Sequence, residues 1–329
     1  MSPSVLDSHD REISYLRVSV TDRCNLRCVY CMPVEGVAAL SHDDVLRLEE
    51  IAHLVRIGVS MGIRNVRLTG GEPLVRKGIV DLVAQIRAIE GIESITMTTN
   101  GIALAEMAGA LAEAGLDRVN ISLDSLKPER YVAITRRGRL ENALAGIDAA
   151  FASGLTPVKI NMVVMQGVND DEVVEFANRT LEAPWHVRFI EYMPLGEQAE
   201  GARSAYVSSD QTRQRIEAAL GPLAPADLAG FGPARTWRLP GAAGTVGLIS
   251  ALSQHFCQTC NRMRLTSDGK LVPCLFSDLE YDLRAPLRAG VEEAALADIW
   301  REALAHKPAC HHLDSAITTT KHQMSRIGG

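Results

Sequence analysis

Residues 15–31 read YLRVSVTDRCNLRCVYC, and two patterns meet in that stretch. From Tyr15 to Val20 the side chains alternate, with Leu16, Val18 and Val20 apolar and Arg17 and Ser19 polar between them. A period of two predicts a strand with one apolar and one polar face. Cys24, Cys28 and Cys31 follow at once, which places three thiols on the loop leaving that strand. Working outward, strands are expected at 65–69, 94–98, 118–123, 158–165 and 186–192, giving six βα units in all. Polar positions recur on one face: Arg67 and Thr69, Thr96 and Thr98, Asn120, Ser122 and Asp124, then Lys159 and Asn161. Helical spacing of apolar residues covers 43–61, 79–89, 104–114, 141–152 and 170–181, with Gly62, Gly91, Gly115 and Gly154 near the C-terminal ends as caps.

Strands alternating with helices predict a parallel sheet. An antiparallel sheet with one wet face would show the same polar alternation. Amphipathic helices would bury the apolar face here, so the polar face points inward. The fold class expected is α/β, a partial (β/α)6 TIM-type barrel whose lumen is polar, where an ordinary barrel is filled with Val, Ile and Leu. After Pro194 the pattern loosens into GPLAPADLAGFGPAR, short strand-like pieces and a late helix at 292–305. We therefore expect a barrel over 1–200 and a C-terminal domain over 201–329 that closes the barrel mouth.

At 329 residues, 47% hydrophobic and 22% charged, the chain has enough apolar content for real cores, which excludes a disordered tail protein. It shows no apolar run of the ~18 residues that a membrane span needs, and MSPSVLDSHDRE at its start is unlike a secretory signal. A cytoplasmic protein with no membrane association is expected, as monomer or homodimer. Lys and Arg number 34 against 40 Asp and Glu, and the net charge of −6 argues against nucleic acid as a partner. An anionic ligand would have to be held by locally placed cations.

Six of the seven cysteines fall into two triplets, Cys24, Cys28, Cys31 and Cys257, Cys260, Cys274. Clustered thiols in a reducing compartment bind metal or do redox chemistry more often than they form disulfides. Each triplet is one short of the usual four ligands. For the first, either His42 completes a Cys3His zinc site or the metal stays open to a small molecule. For the second, a zinc knuckle completed by His255 or Cys310 is the simplest solution. Immediately after Cys260, alternation in Arg262-Met263-Arg264 puts two guanidinia on one side of an extended segment, suited either to surface ion pairs or to clamping phosphate.

CNLRCVYC, with Tyr30 before its last Cys, and TGGEP at 69–73 resemble the signatures of the radical S-adenosylmethionine superfamily. TDRCNLRCVYCMP, NVRLTGGEPLVR, TTNG, NISLDSL, KINMVVMQGVND, RFIEYMPLG, CQTCNRMRLTSDGKLVPCLF and the terminal RIGG, in that order, resemble more narrowly the GTP 3′,8-cyclase family of molybdenum cofactor biosynthesis. His255 departs from that pattern, standing where Pro is expected. The resemblance implies two [4Fe-4S] clusters, on Cys24, Cys28 and Cys31 and on Cys257, Cys260 and Cys274. It also implies S-adenosyl-L-methionine held by Tyr30, Gly71, Glu72, Ser122 and Met193. GTP would be bound by Arg17, Arg67, Thr98, Lys159, Arg262, Met263 and Arg264, with Arg17, Arg262, Arg264, Gly328 and Gly329 serving catalysis. The implied reaction takes hydrogen from C3′ of GTP with a 5′-deoxyadenosyl radical, after which C3′ bonds to guanine C8. Implied partners are an electron donor such as flavodoxin or ferredoxin, and the next enzyme, cyclic pyranopterin monophosphate synthase, by product transfer. Two other readings stay open: a radical maturase with an auxiliary cluster acting on a peptide, and a zinc-binding interaction module. The terminal glycines have little structural propensity and would fray unless they enter the site.

Overall fold

The computed structural model describes residues 5–195, 199–228, 230, 232–311 and 323–328. The six expected strands form as β1 (Tyr15–Ser19), β2 (Asn65–Thr69), β3 (Ser94–Thr99), β4 (Arg118–Ser122), β5 (Lys159–Val164) and β6 (His186–Glu191), each parallel to the next. The C-terminal part adds β7 (Ala224–Pro225), β8 (Arg235–Arg238), β9 (Thr245–Ile249), β10 (Arg262–Leu265), β11 (Lys270–Val272) and β12 (Tyr281–Asp282) to the same sheet. Of these, β9 pairs in parallel with β6 and β10 in parallel with β1. Eight parallel strands therefore curve from β10 to β9, and antiparallel arms lie beyond each edge. The partial barrel is thus not closed by hydrogen bonds, and two of its parallel strands come from beyond residue 200.

Helices α1 (Leu48–Ser60), α2 (Ile79–Arg87), α3 (Leu104–Glu113), α4 (Pro128–Thr135), α5 (Leu140–Ala152) and α6 (Val173–Glu182) connect the strands. Leu16, Val66, Ile95, Val119, Ile160 and Val187 are fully buried on the outer sheet face, in one core with Leu54, Leu82, Leu111, Ile147 and Phe176 of the helices. Burial of each such side chain contributes about 1.5–3 kcal/mol, so the outward apolar face is what holds sheet and helices together. All four capping glycines lie at positive φ.

The start of α1, helix α4 and the first two helices after β6 depart from expectation. Residues 43–47 are not helical: Leu46 N–H donates to Ser267 O at 2.9 Å, and buried Glu50 caps α1 by accepting from Arg47 N at 2.7 Å. α4 is short and only Tyr131, Ile134 and Thr135 are buried, too few for a readable period. α7 (Ala199–Ser204) precedes α8 (Ser209–Leu220), whose buried Ser209, Thr212 and Ile216 give a polar sequence little helical signal. The chain continues through α9 (Arg284–Arg288) and the expected late helix α10 (Glu293–Ala305) to α11 (Met324–Ile327).

Candidate active site

Strand register gathers the polar positions. Arg17 of β1 stands beside Arg67 of β2 and Arg264 of β10, Tyr15 beside Arg262, Thr98 beside Asn120, and Asn161 beside Arg188. All nine line one internal cavity. No Asp or Glu is among the described residues that line it. Burial depresses the guanidinium pKa of Arg17 well below its usual range, and Arg264, Arg67 and Arg262 depress it further. Burial, then Arg67, brings Arg188 to about 9, and burial, then Arg262, brings Arg264 to about 10. Like charges packed this closely are costly, and a polyanion would relieve that cost. Asn120 Oδ1, Asn161 Oδ1 and Arg188 Nε are buried without hydrogen-bond partners among the described residues. Native interiors rarely leave such atoms unsatisfied, so a polar ligand fits here.

Alternation on β10 places the Met263 side chain in the hydrophobic core, which leaves its backbone as the part of Met263 that a substrate could meet. Lys159 is buried but not at the cavity wall: its Nζ lies so close under Gly230 that a Cβ there would be 2.8 Å away. Arg67 donates to Tyr15 Oη, and to Thr98 Oγ1 at 3.3 Å. Arg188 was missed although β6 was expected, since His186-Val187-Arg188 alternates like the other strands. Phe256, Phe276 and His311 also line the cavity and carry no sequence signal.

At the mouth, the first cysteine loop is tied down from three sides. Gly71 N–H donates to Thr21 O at 2.8 Å, and Glu72 N–H to Arg23 O at 2.9 Å. A Cβ on Gly71 would lie 2.4 Å from Arg23 O, so the glycine is required by the backbone that begins the cysteine loop. The Glu72 carboxylate accepts from Thr99 Oγ1 (2.6 Å), Asn100 N (2.7 Å) and Leu74 N (3.1 Å), which makes it a strut between loop and β3. Asn100 Nδ2 reaches Asn25 Oδ1 at 2.7 Å, and Tyr30 Oη donates to Asp124 Oδ2 at 2.8 Å. The unexpected helix α4 serves as the third side, its end accepting from Arg27 N and Val29 N at 3.0 Å each. Ser122 sits on β4 opposite Asn161, and Met193 lines the cavity.

The seven cysteines form no disulfides. Burial pushes the thiols of Cys24 and Cys31 up to about 11 and 12, and raises that of Cys28 well above the usual thiol range. Thiolates here therefore need a bound cation to hold them. Neither triplet brings its sulfurs all within 4.8 Å of one another, as a single zinc ion requires, and His42 is exposed and joins no such group. Two spread triplets of half-buried thiols, with no fourth His, Cys, Asp or Glu donor among the described residues converging on the first, fit iron–sulfur clusters open at one iron better than closed zinc sites. Around the second triplet, Lys307 Nζ joins Arg262 O (2.7 Å) to Pro273 O (2.6 Å), fixing Cys274 against β10. His255 and Cys310 both come beside Cys257.

The C-terminal segment does not fray. Ile327 is fully buried, Ser267 N–H donates to Arg326 O at 3.2 Å, and Arg264 Nη1 donates to Gly328 O at 2.9 Å inside the barrel. A Cβ on Gly328 would lie 2.3 Å from Thr69 Cγ2. Gly329 lies outside the described residues.

A family model described as the radical SAM superfamily matches residues 18–180, and one described as Molybdenum Cofactor Synthesis C matches 185–313. A GTP 3′,8-cyclase of Heliobacterium modesticaldum is 54% identical over 327 residues, 99% of this chain and 100% of its own. One of Moorella thermoacetica is 53% identical over 98% of this chain and 99% of its own. Among solved structures, Streptococcus suis SuiB bound to its precursor peptide SuiA is similar with a TM-score of 0.62 at 15% identity, covering 95% of this chain and 70% of that one. This last likeness extends to the fold alone.

Proposed function

Because the chain belongs to the GTP 3′,8-cyclase family of radical S-adenosylmethionine enzymes, we propose how its residues divide the work of that reaction. The enzyme converts GTP to (8S)-3′,8-cyclo-7,8-dihydro-GTP, the first step of molybdenum cofactor biosynthesis, with [4Fe-4S] clusters and S-adenosylmethionine as cofactors. The observation that carries the assignment of residues is the cavity walled by Arg17, Arg67, Arg188, Arg262 and Arg264, with no carboxylate among its described lining residues and the second cysteine triplet on its wall, while the first triplet lies on the loop that leaves β1.

In this reading Cys24, Cys28 and Cys31 hold the first cluster, and Cys257, Cys260 and Cys274 the second. Bound there, the first cluster with S-adenosylmethionine supplies one-electron chemistry able to remove hydrogen from an unactivated C–H bond. Tyr30, Gly71, Ser122 and Met193 face the cofactor, and Glu72 positions Gly71 rather than touching it. The arginines grip the triphosphate, since a guanidinium offers paired donors and a bound polyanion favours the charged form that burial disfavours. Lys159 adds charge from beneath. Asn120 and Asn161 present the unsatisfied carbonyl oxygens that ribose or base donors would meet. Phe256 and Phe276 keep water from the wall beside the second triplet. Holding C3′ and C8 in contact is the residues' main contribution, because orientation alone can be worth ~7–11 kcal/mol of barrier.

A flavodoxin- or ferredoxin-type carrier would deliver the electron, and the product would pass to a cyclic pyranopterin monophosphate synthase. A cytoplasmic setting is consistent with seven cysteines that form no disulfide, and no helix among the described residues is long and apolar enough to cross a membrane. The test is anaerobic incubation of reconstituted enzyme with GTP, S-adenosylmethionine and reductant, followed by mass spectrometry. Cyclised product in the parent and ~10-fold or more weakening of GTP binding in Arg17→Ala or Arg262→Ala support the assignment. Unchanged GTP affinity in both would remove the arginines from it.

A further inference from the structure

At the rim of the second triplet, two side chains that the reaction does not use meet one that it does. His255 precedes Cys257 on its loop, and Cys310 arrives from the segment after α10. The donor atoms of His255, Cys257 and Cys310 all lie within 4.8 Å of one another, and no other trio of His, Cys, Asp or Glu among the described residues does so. Cys310 Sγ is 3.7 Å from His255 Nδ1 and 3.8 Å from Nε2. Donors around one tetrahedral zinc, each ~2.0–2.3 Å from the metal, stand roughly 3.5 Å apart. The two segments are also clamped together. Arg11 donates to Cys257 O (2.8 Å), Ala309 O (3.0 Å) and Pro308 O (2.8 Å), and its ion pair with Asp7 at 2.7 Å orients the guanidinium. The His311 ring packs edge-on against His255 at 5.3 Å.

We propose that His255, Cys257 and Cys310 form a binding site for a single zinc-class divalent ion, and that its occupancy excludes the second iron–sulfur cluster because Cys257 cannot serve both. One imidazole and two thiolates select zinc, cobalt(II) or ferrous iron over magnesium or calcium, with water in the remaining position. Exclusion rests on the assignment of Cys257 to the cluster; ion binding by the trio does not. Its consequence is that zinc reaching the chain before iron would block the second centre while sparing the first.

Cobalt(II) is the probe. Full-length iron-free protein, reduced and anaerobic, is titrated while thiolate-to-cobalt absorption is followed. One ion per chain is expected. Affinity should fall in His255→Ala and in Cys310→Ser by at least the ~10–100-fold that loss of an outer-sphere partner already costs, and hold in Cys260→Ser and Cys274→Ser. Melting curves establish that each variant is folded, and either ligand variant suffices. Equal affinity in both ligand variants and the parent, or no thiolate–cobalt band, overturns the site. For exclusion, zinc-loaded parent should take up about four fewer irons per chain on reconstitution than zinc-free parent, and Cys310→Ser should regain them. Iron uptake unaffected by zinc overturns exclusion. If Cys260→Ser itself loses no iron, the cluster assignment fails instead, with the cobalt result standing apart from it.

Discussion

At Lys159 burial and neighbouring cations work against the ammonium form. Burial, then Arg188, Arg118 and Arg67, brings its pKa from 10.5 to about 6. Between those values the folded chain binds fewer protons than the unfolded one, so this group's contribution to ligand-free stability rises with pH across that window. A bound triphosphate reverses the balance by favouring the charged form. At about pH 8, GTP binding is expected to draw up to about one proton more into the parent than into Lys159→Met. Calorimetric heats in buffers of different ionisation enthalpy measure the difference, and equal uptake in the two proteins would detach Lys159 from the phosphates. Gly71 presents a steric case. Its missing Cβ would meet backbone at 2.4 Å, where no side chain can swing aside. Gly71→Ala should lower stability by about 1–3 kcal/mol, with iron lost from the first triplet and kept at the second. A variant with unchanged melting and full iron would show that the loop yields.

Among the elements, alternation was the most legible signal, and Arg188 marks how far it reaches. The period that put Arg17, Arg67, Thr98 and Asn161 on one face applies equally to β6, and the register places Arg188 directly beside Asn161. Arg188→Met is therefore expected to weaken GTP binding by ~1.5–3 kcal/mol, the worth of a charged hydrogen bond, with iron content unchanged; equilibrium binding to the reconstituted enzyme measures it. Affinity equal to the parent's would leave Arg188 a structural cation. What periodicity could not show is long-range pairing. Arg262 and Arg264 were legible as a pair on one side of an extended segment, but not that β10 lies against β1 from nearly 250 residues away. Likewise α4 carries too few buried residues for a period, and its role as a clamp on the cysteine loop comes from backbone carbonyls, which no side-chain pattern encodes.

In the whole molecule the parallel sheet ends at β9 and β10 without joining, and the chain's last segment returns to its mouth. Sequence propensity pointed to fraying there because Gly328 has no side chain to anchor it. The anchor is its neighbour, Ile327, fully buried, while Gly328 offers its carbonyl to Arg264 and its bare Cα to Thr69. Arg264 thereby joins the tail to the arginine-walled cavity, so in the proposed division of work tail docking and substrate positioning share one guanidinium. Docking of six described residues is a local equilibrium, separable from global unfolding. Ile327→Ala removes the anchor, and Gly328→Val drives a side chain into Thr69. Both should release the tail while the melting temperature and iron per chain stay close to the parent's. Hydrogen exchange at the Gly328 amide, which donates to Met324 O at 3.1 Å, should accelerate in each. If the docked tail holds reacting groups in register, product per enzyme should fall ~100-fold, the cost of a small misplacement. Faster exchange with full product formation would make the tail a mere plug, and slow exchange in both variants would show that Ile327 and the Thr69 contact are not what holds it.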